Sequence, residues 1–202
     1  MREQPGRFDN DDGSADLAIR SARTPEQLLQ ALNAGRVLVA IVATADEIDY
    51  DGSDKSSNMS VVSMVSADGR RGLLAFTGLD ALQAWDPTAR PVPVSGPDAA
   101  RAALDDGCEA MVIDVAGPSN RVVIEADLIS LAGIDRLEYV TELAQRALDE
   151  QFGAGEARVS GQADRLQVAS DRIGQGELTQ ALQRMPRVLA LVPAGIEVLA
   201  GA

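Results

Sequence analysis

The chain has 202 residues, 46% of them apolar, enough to bury one core and a smaller second unit. Eighteen basic and 31 acidic residues give a formal net charge of −13, which disfavours direct binding to nucleic acid or to anionic membranes. Histidine is absent and Cys108 is the only cysteine, which excludes imidazole-based catalysis, zinc sites rich in histidine or cysteine, and an intrachain disulfide. The longest apolar run, Val37 to Ala43, is far too short to span a membrane, and the N-terminus lacks a signal-peptide pattern, so we expect a cytoplasmic protein.

The first 44 residues are predicted to form an acidic tail, a helix and a strand. Residues 1–16 are too polar to offset the entropy of ordering, which predicts a disordered tail. Thr24 is a suitable N-cap with Pro25 at the first helical position, and Gly35 is a suitable helix end. Residues 36–44 are almost entirely apolar, which is typical of a central strand covered on both faces.

The next segment contains a polar loop, a hairpin and a short helix. The loop covers residues 45–58, and strands over 59–66 and 70–76 are predicted to pair through an Asp-Gly turn. Thr77 is predicted to cap a helix that ends near Trp85, before an Asp-Pro dipeptide.

Short elements alternate over the rest of the chain. They are predicted as strands over 92–95, 109–115, 121–125, 156–160, 165–169 and 196–199, and as helices over 97–106, 127–131, 137 up to Gly153, and 177–185. Together the elements predict an α+β protein. Residues 17–134 are expected to form a mixed, largely antiparallel sheet with flanking helices, and residues 135–202 a smaller α/β unit.

Five segments between the first helix and residue 118 carry a recognisable pattern. They are Leu32-x-x-Gly35-Arg36-Val37, Asp54-Lys55-Ser56-Ser57, Phe76-Thr77, Ala84-Trp85-Asp86-Pro87, and Val112-Ile113-Asp114-x-Ala116-Gly117-Pro118. In these segments the chain resembles the SseB (enhanced serine sensitivity) N-terminal domain family, and it looks most like the actinobacterial members. The resemblance implies a small soluble α+β protein and supplies no catalytic residues. A secretion translocator of the same name would need long hydrophobic segments and coiled coils, which this sequence lacks.

The polar loop over residues 45–58 is the densest group of polar side chains, and a loop of this length is typical of functional segments. We select five of its residues as candidate binding residues: Asp51, Asp54, Lys55, Ser56 and Ser57. The structural alternative is a solvated loop whose Asp and Ser side chains bond the local backbone.

The loop matches three known sequence motifs only in part. Asp51 and its acidic neighbours partly match a calcium loop, but Lys55 stands at position nine and Asn58 replaces the bidentate Glu at position twelve. Lys55-Ser56 resembles the end of a phosphate-binding loop, but Asp54 replaces the glycine before the lysine. A Ser-x-x-Lys dyad is absent because residue 52 is glycine.

Two residues outside the loop complete the candidate binding set. Trp85 is either an exposed interface anchor or the third member of an apolar stripe with Leu79 and Leu82, and the helical spacing favours the core. Arg90 opens a short proline-containing segment.

The leading hypothesis is a non-catalytic protein-interaction or regulatory module with an unidentified protein partner, no cofactor and no metal. The alternative is a small-molecule-binding protein or enzyme that uses Lys55 with Ser56. Assembly into a homo-oligomer stays open at this point.

Overall fold

The computed structural model describes residues 8, 10–43, 59–118 and 120–199. The chain divides into two compact units, Met1–Gly133 and Ile134–Ala202. Both units combine helices with strands, and most strand pairs are antiparallel, which confirms the predicted α+β class. The candidate residues of the polar loop, Asp51, Asp54, Lys55, Ser56 and Ser57, lie outside the described residues.

The described part of the first unit contains five helices and seven strands. In chain order these are α1 (Leu17–Ser21), α2 (Pro25–Ala34), β1 (Arg36–Ala43), β2 (Met59–Val61), β3 (Ser63–Val65), β4 (Arg71–Phe76), α3 (Leu79–Trp85), β5 (Arg90–Ser95), α4 (Gly96–Asp105), β6 (Ala110–Ile113), β7 (Arg121–Ile124) and α5 (Glu125–Leu131). Thr24 caps α2 as predicted, because its side chain accepts a hydrogen bond from the Gln27 N–H.

One sheet contains all seven strands of the described first unit. The strand path runs β5, β1, β4, β6, β7, with β4 and β6 parallel and the other pairs antiparallel. The strand predicted over 59–66 bends at Val62: β2 pairs with β1, and β3 pairs with β4. In the described chain β5 pairs only with β1 and β7 only with β6, so β5 and β7 form the two outer edges of the sheet.

The two faces of this sheet are covered to different extents. Helices α2, α4 and α5 pack together and against the sheet, burying alternate strand residues such as Leu73, Met111 and Val123. The opposite face is covered at one end by α3, where Leu74 and Phe76 belong to an apolar cluster. A short helix cannot cover a sheet of this width, so part of the second face stays exposed around β6 and β7.

The remaining two candidate residues belong to this unit. Trp85 is half-buried against the α3 cluster, with its ring 5.5 Å from that of Phe76, which agrees with the core interpretation. Arg90 is exposed at the start of β5. A binding role for either residue stays a prediction.

Residues 11–16 were expected to belong to a disordered tail, but in the structure they are held against the segment that follows β4. The Asp16 N–H donates to the Thr77 carbonyl (2.9 Å), and the Leu79 N–H donates to the Gly13 carbonyl (2.8 Å). The polar composition of this segment predicted that water would solvate it, but its main-chain groups form hydrogen bonds with other parts of the protein. Residues 1–7 and 9 lie outside the described residues.

The second unit contains a three-stranded sheet and three helices in its described part. They are α6 (Arg136–Phe152), β8 (Arg158–Gln162), β9 (Arg165–Ala169), α7 (Gln175–Gln183), α8 (Pro186–Leu191) and β10 (Ile196–Val198). Strand β9 is central, antiparallel to β8 and parallel to β10. Helix α8 is absent from the sequence expectation; it begins at Pro186, a residue favoured at the first helical position.

Among the described helices of the chain, none combines the length and apolar character that crossing a membrane requires.

Candidate functional site

A groove of about 380 Å³ runs along the outer edge of β7. Its walls come from four parts of the first unit. They are the α1–α2 linker (Ala22, Arg23, Thr24), the first half of α2 (Pro25, Leu28, Leu29), the start of β7 with the residue before it (Asn120, Arg121, Val122, Val123), and Asp127 in the first turn of α5. We call this feature the β7 groove.

The main chain of Val122 faces this groove. Val122 lies opposite Val112 in the antiparallel β6–β7 pair. The backbone of Val112 faces β4, because Asp114, two residues further on, donates its N–H to the Ala75 carbonyl of β4 (2.9 Å). Opposed residues in an antiparallel pair either exchange hydrogen bonds or both point away from each other. The N–H and C=O of Val122 therefore point away from β6, to the open edge.

Side chains near this edge are apolar on both faces of the sheet. Val122 and Ile124 are 57% and 56% exposed on the face that α3 leaves uncovered. On the helix face, Val123 is buried, and Leu28 and Leu29 of α2 line the groove beside it. A strand that paired with β7 would thus contact apolar side chains above and below.

Arg121 holds one wall of the groove in place. Its guanidinium donates to the carbonyls of Ile19 (2.9 Å) and Ala22 (2.6 Å), and also to that of Arg20. These carbonyls end the short helix α1, where a cation is favoured by the helix dipole and by unpaired acceptors. The α1–α2 linker is therefore fixed beside β7 without a bound partner.

A second polar cluster fixes α1 from its other side, at the ends of the parallel strands β4 and β6. The Thr77 N–H and hydroxyl donate to the two carboxylate oxygens of Asp114, at 2.8 and 2.7 Å. Arg20 donates to the Thr77 hydroxyl and to both oxygens of Asp80. Asp114 has φ +53°, a left-handed conformation that costs a non-glycine residue about 1 kcal/mol and that these bonds compensate.

This cluster corrects the role predicted for Thr77. The N-cap of α3 is Gly78, which has no side chain, so no side-chain hydrogen bond caps the helix. The Thr77 hydroxyl is buried and donates to Asp114. The N-cap lies one residue later than the pattern predicted, and the Thr77 hydroxyl oxygen accepts hydrogen bonds from Arg20 instead of from the first turn of α3.

Replacing Thr77 with valine tests this cluster. Valine keeps the shape but removes the hydroxyl, leaving an Asp114 oxygen without its donor, so we expect a loss of about 2 kcal/mol in unfolding free energy. Thr77→Ser keeps the hydroxyl and should lose about 1 kcal/mol through the missing methyl group. Chemical denaturation of both variants measures the difference, and a serine variant less stable than the valine variant would contradict the assignment.

Arg36 holds residues 11–16 in position. Its guanidinium pairs with Asp11 (2.5 Å), and it also donates to the carbonyls of Ser14 (2.6 Å) and Thr77 (2.7 Å). The Arg36 and Asp11 side chains are only 11% and 14% exposed. The hydrogen bond from Arg36 lowers the pKa of the Asp11 carboxyl below its ordinary value, against the opposing effect of burial.

The Asp11 pKa predicts a local acid transition. Because the pKa of Asp11 is lower in the folded state, its ionised carboxylate stabilises the folded state at pH values above the ordinary pKa of an aspartate. This contribution is lost as the pH falls through the folded-state pKa. We expect the amide NMR signals of Gly13 and Asp16 to move towards random-coil positions below about pH 4. Asp11→Asn should show the displaced signals at neutral pH as well. Signals that change only with global unfolding would contradict this prediction.

Only two of the predicted site residues can be compared with the β7 groove. Trp85 and Arg90 do not line it, and the five loop residues lie outside the described part of the chain. Sequence analysis missed Arg121 and Val122, because nothing local distinguishes an edge strand from a central one. Apolar side chains on both faces of Arg121–Ile124 are equally typical of a central strand, so the sequence carried no signal for the open edge. Within the described residues, no group of three or more acidic or cysteine side chains is arranged to hold a metal.

Comparison with known families matches the first unit. The family model of the SseB protein N-terminal domain covers residues 15–130, more than half of the chain. The comparisons with curated proteins and with solved structures gave no match. Three of the segments that carry the resemblance meet in space, because Arg36 donates to the Thr77 carbonyl and Thr77 donates to Asp114. This chain belongs to the SseB protein N-terminal domain family.

Proposed function

We propose that this protein is a non-catalytic interaction module that binds an extended segment of a partner protein as an added strand on β7. The observation that supports it is the outward-facing main chain of Val122 at the β7 groove. Strand addition obtains affinity from main-chain hydrogen bonds and selectivity from side-chain contacts on alternate residues. The groove offers both, since α2 provides Leu28 and Leu29 beside the strand.

The two edges of the sheet differ in a way that favours β7. Strand β5 carries Pro91 and Pro93, which cannot donate a main-chain hydrogen bond. Proline is a common protection of edge strands against pairing with other chains. Strand β7 contains no proline and exposes Val122 and Ile124. The chain thus protects one edge and leaves the other accessible.

The wall of the groove also supports a binding role. Arg121 fixes the α1–α2 linker through three carbonyls, so the groove exists before a partner arrives. A preformed site avoids part of the entropic cost of ordering on binding.

We assign the protein to the cytoplasm and to the actinobacterial branch of the family as part of this proposal, on the charge, composition and motifs described above.

The polar loop over residues 45–58 stays a predicted second contact. If it touches the same partner, Lys55→Ala should weaken that partner's retention. The alternative function, a small-molecule site that uses Lys55 and Ser56, also stays a prediction. A metabolite thermal-shift screen tests it, since a true ligand would raise the melting temperature of the wild type but not of Lys55→Ala.

Replacing Val122 with proline tests strand addition directly. Proline removes an N–H that points away from β6, so the sheet should tolerate the substitution. A strand added to β7 would lose a hydrogen bond to that N–H and would clash with the pyrrolidine ring. We expect native mass spectrometry of gently purified protein to show a stoichiometric partner on the wild type and little or none on Val122→Pro. Val122→Thr keeps the N–H and the branched shape, and it should retain the partner. Equal retention by Val122→Pro, with an unchanged circular dichroism spectrum, would refute the proposal.

A further inference from the structure

The β7 groove is electrically asymmetric. Arg23 and Arg121 line it at the end where β7 begins, and neither guanidinium forms an ion pair with a carboxylate in the described part of the chain. Arg121 donates to main-chain carbonyls at the end of α1, which carry only partial negative charges. Asp127 lines the groove near the other end of β7, in the first turn of α5. In a protein with a net charge of −13, two cations that lack a carboxylate partner in the described residues favour an anionic ligand group at that end of the groove.

The direction of an added strand decides which of its ends meets these cations. A strand antiparallel to β7 has its carboxyl-terminal side at the start of β7, beside Arg23, and its amino-terminal side near Asp127. In this direction the negative carboxyl-terminal end of a peptide lies near the arginines and its positive amino-terminal end lies near Asp127, whereas parallel pairing would bring like charges together. Antiparallel pairing also forms slightly stronger hydrogen bonds per residue.

The side-chain contacts define the rest of the segment. Residues that alternate along the added strand would point towards Leu28 and Leu29 on one face and lie beside Val122 on the other. Both neighbourhoods are apolar. Strand β7 is four residues long, so the contact length is about four residues of the partner.

We infer that the β7 groove binds, antiparallel to β7, a short apolar segment followed on its carboxyl-terminal side by a carboxylate that contacts Arg23. This inference rests on the proposed function and specifies its ligand. We assign this carboxylate to an acidic side chain of the partner segment, and a chain terminus is the other outcome of the test. A second copy of this chain is a poorer match, because two copies would bring together two net charges of −13.

Synthetic peptides on the full-length protein test this inference. The acidic probe is a fluorescein-labelled peptide of alternating valine and threonine that ends in an amidated aspartate. The basic probe ends in an amidated lysine, and a third probe lacks the charged residue but has a free terminal carboxylate. Fluorescence anisotropy measures the affinity of each. We expect the acidic probe to bind about fivefold more tightly than the basic one, and Arg23→Glu to remove or reverse this preference.

N-methylated probes separate strand addition from other binding without changing the protein. Methylation of the amides that face β7 should abolish binding of the acidic probe, whereas methylation of the intervening amides should leave it within about twofold. The third probe tests the source of the carboxylate: weaker binding than that of the acidic probe supports an acidic side chain, and tighter binding identifies a chain terminus instead.

The outcomes separate this inference from the proposed function. If facing-amide methylation abolishes binding but Arg23→Glu has no effect, strand addition stands and the inferred carboxylate is wrong. The inferred ligand is wrong if both methylated probes bind equally, or if none of the probes binds at millimolar concentration. In either case, loss of the partner from Val122→Pro still tests the proposed function by itself. A native dimer that Val122→Pro converts to monomers would identify a second copy as the occupant and overturn the inference.

Discussion

Gly96→Ala is expected to destabilise the first unit more than any other small substitution considered for this protein. Gly96 begins α4 where that helix touches the end of α2, and a Cβ at this position would lie 2.1 Å from the Leu32 carbonyl oxygen and 2.7 Å from its carbon. Both contacts are with main chain, which cannot rotate away as a side chain can. The helices must separate, so we expect a loss of about 3 kcal/mol or more and a fall in melting temperature of roughly 10 °C.

Gly176→Ala provides the control for that variant. Gly176 lies in the first turn of α7, has an ordinary φ, and its added Cβ would meet nothing within 4 Å. Alanine is the better helix former, so this variant should be unchanged or up to about 1 kcal/mol more stable. Thermal and urea unfolding of both variants make the comparison. A Gly96→Ala protein as stable as the wild type would show that α2 and α4 are not in main-chain contact.

Arg121→Ala is expected to have the second largest effect, on stability and on binding together. It removes three charge-assisted hydrogen bonds, to the carbonyls of Arg20, Ala22 and Ile19, and the Ile19 carbonyl keeps only a long bond from the Ala22 N–H (3.4 Å). We expect a loss of about 2–4 kcal/mol in unfolding free energy. The α1–α2 linker should also move away from β7, so partner retention should fall below that of the wild type at temperatures where the variant is still folded.

Two variants make the Arg121 result specific. Arg121→Lys keeps the charge but cannot reach three carbonyls with one ammonium group, so it should recover only part of the loss. Arg146→Ala removes an exposed ion pair with Glu142 in α6 and should cost well under 1 kcal/mol. Urea denaturation and hydrogen exchange of the Ala22 and Arg23 amides measure the two effects. An Arg121→Ala protein with normal stability and normal exchange would contradict the anchoring role.

The relation between the family pattern and the proposed site follows from these contacts. Arg36, Thr77 and Asp114 belong to the segments that identify the family, yet each bonds to other protein groups and none lines the β7 groove. Their described contacts hold α1 and residues 11–16 against the ends of β1, β4 and β6. The groove depends on them indirectly, since Arg20 connects Thr77 to the helix whose end Arg121 binds.

Local chemistry made most of the elements predictable. Thr24 and Pro25 mark the start of α2, and the apolar run after Gly35 forms β1, because capping and side-chain periodicity act within a few residues of the chain. The α+β class followed from the same periodicities. Predictions failed where a distant residue competed with a local one. Thr77 bonds Asp114 instead of capping α3, and residues 11–16 bond Arg36 and the segment after β4 instead of water.

The sequence by itself determined the class of fold, the family pattern and the exclusion of histidine chemistry, since these depend on which residues are present and on their spacing. Only the tertiary structure decided that β7 is an edge strand, that Val122 directs its main chain outward, and that Arg121 holds the α1–α2 linker beside it. The physical reason is that an edge is a property of strand order. Strand order depends on contacts between segments far apart in the chain, and no local pattern of residues encodes them.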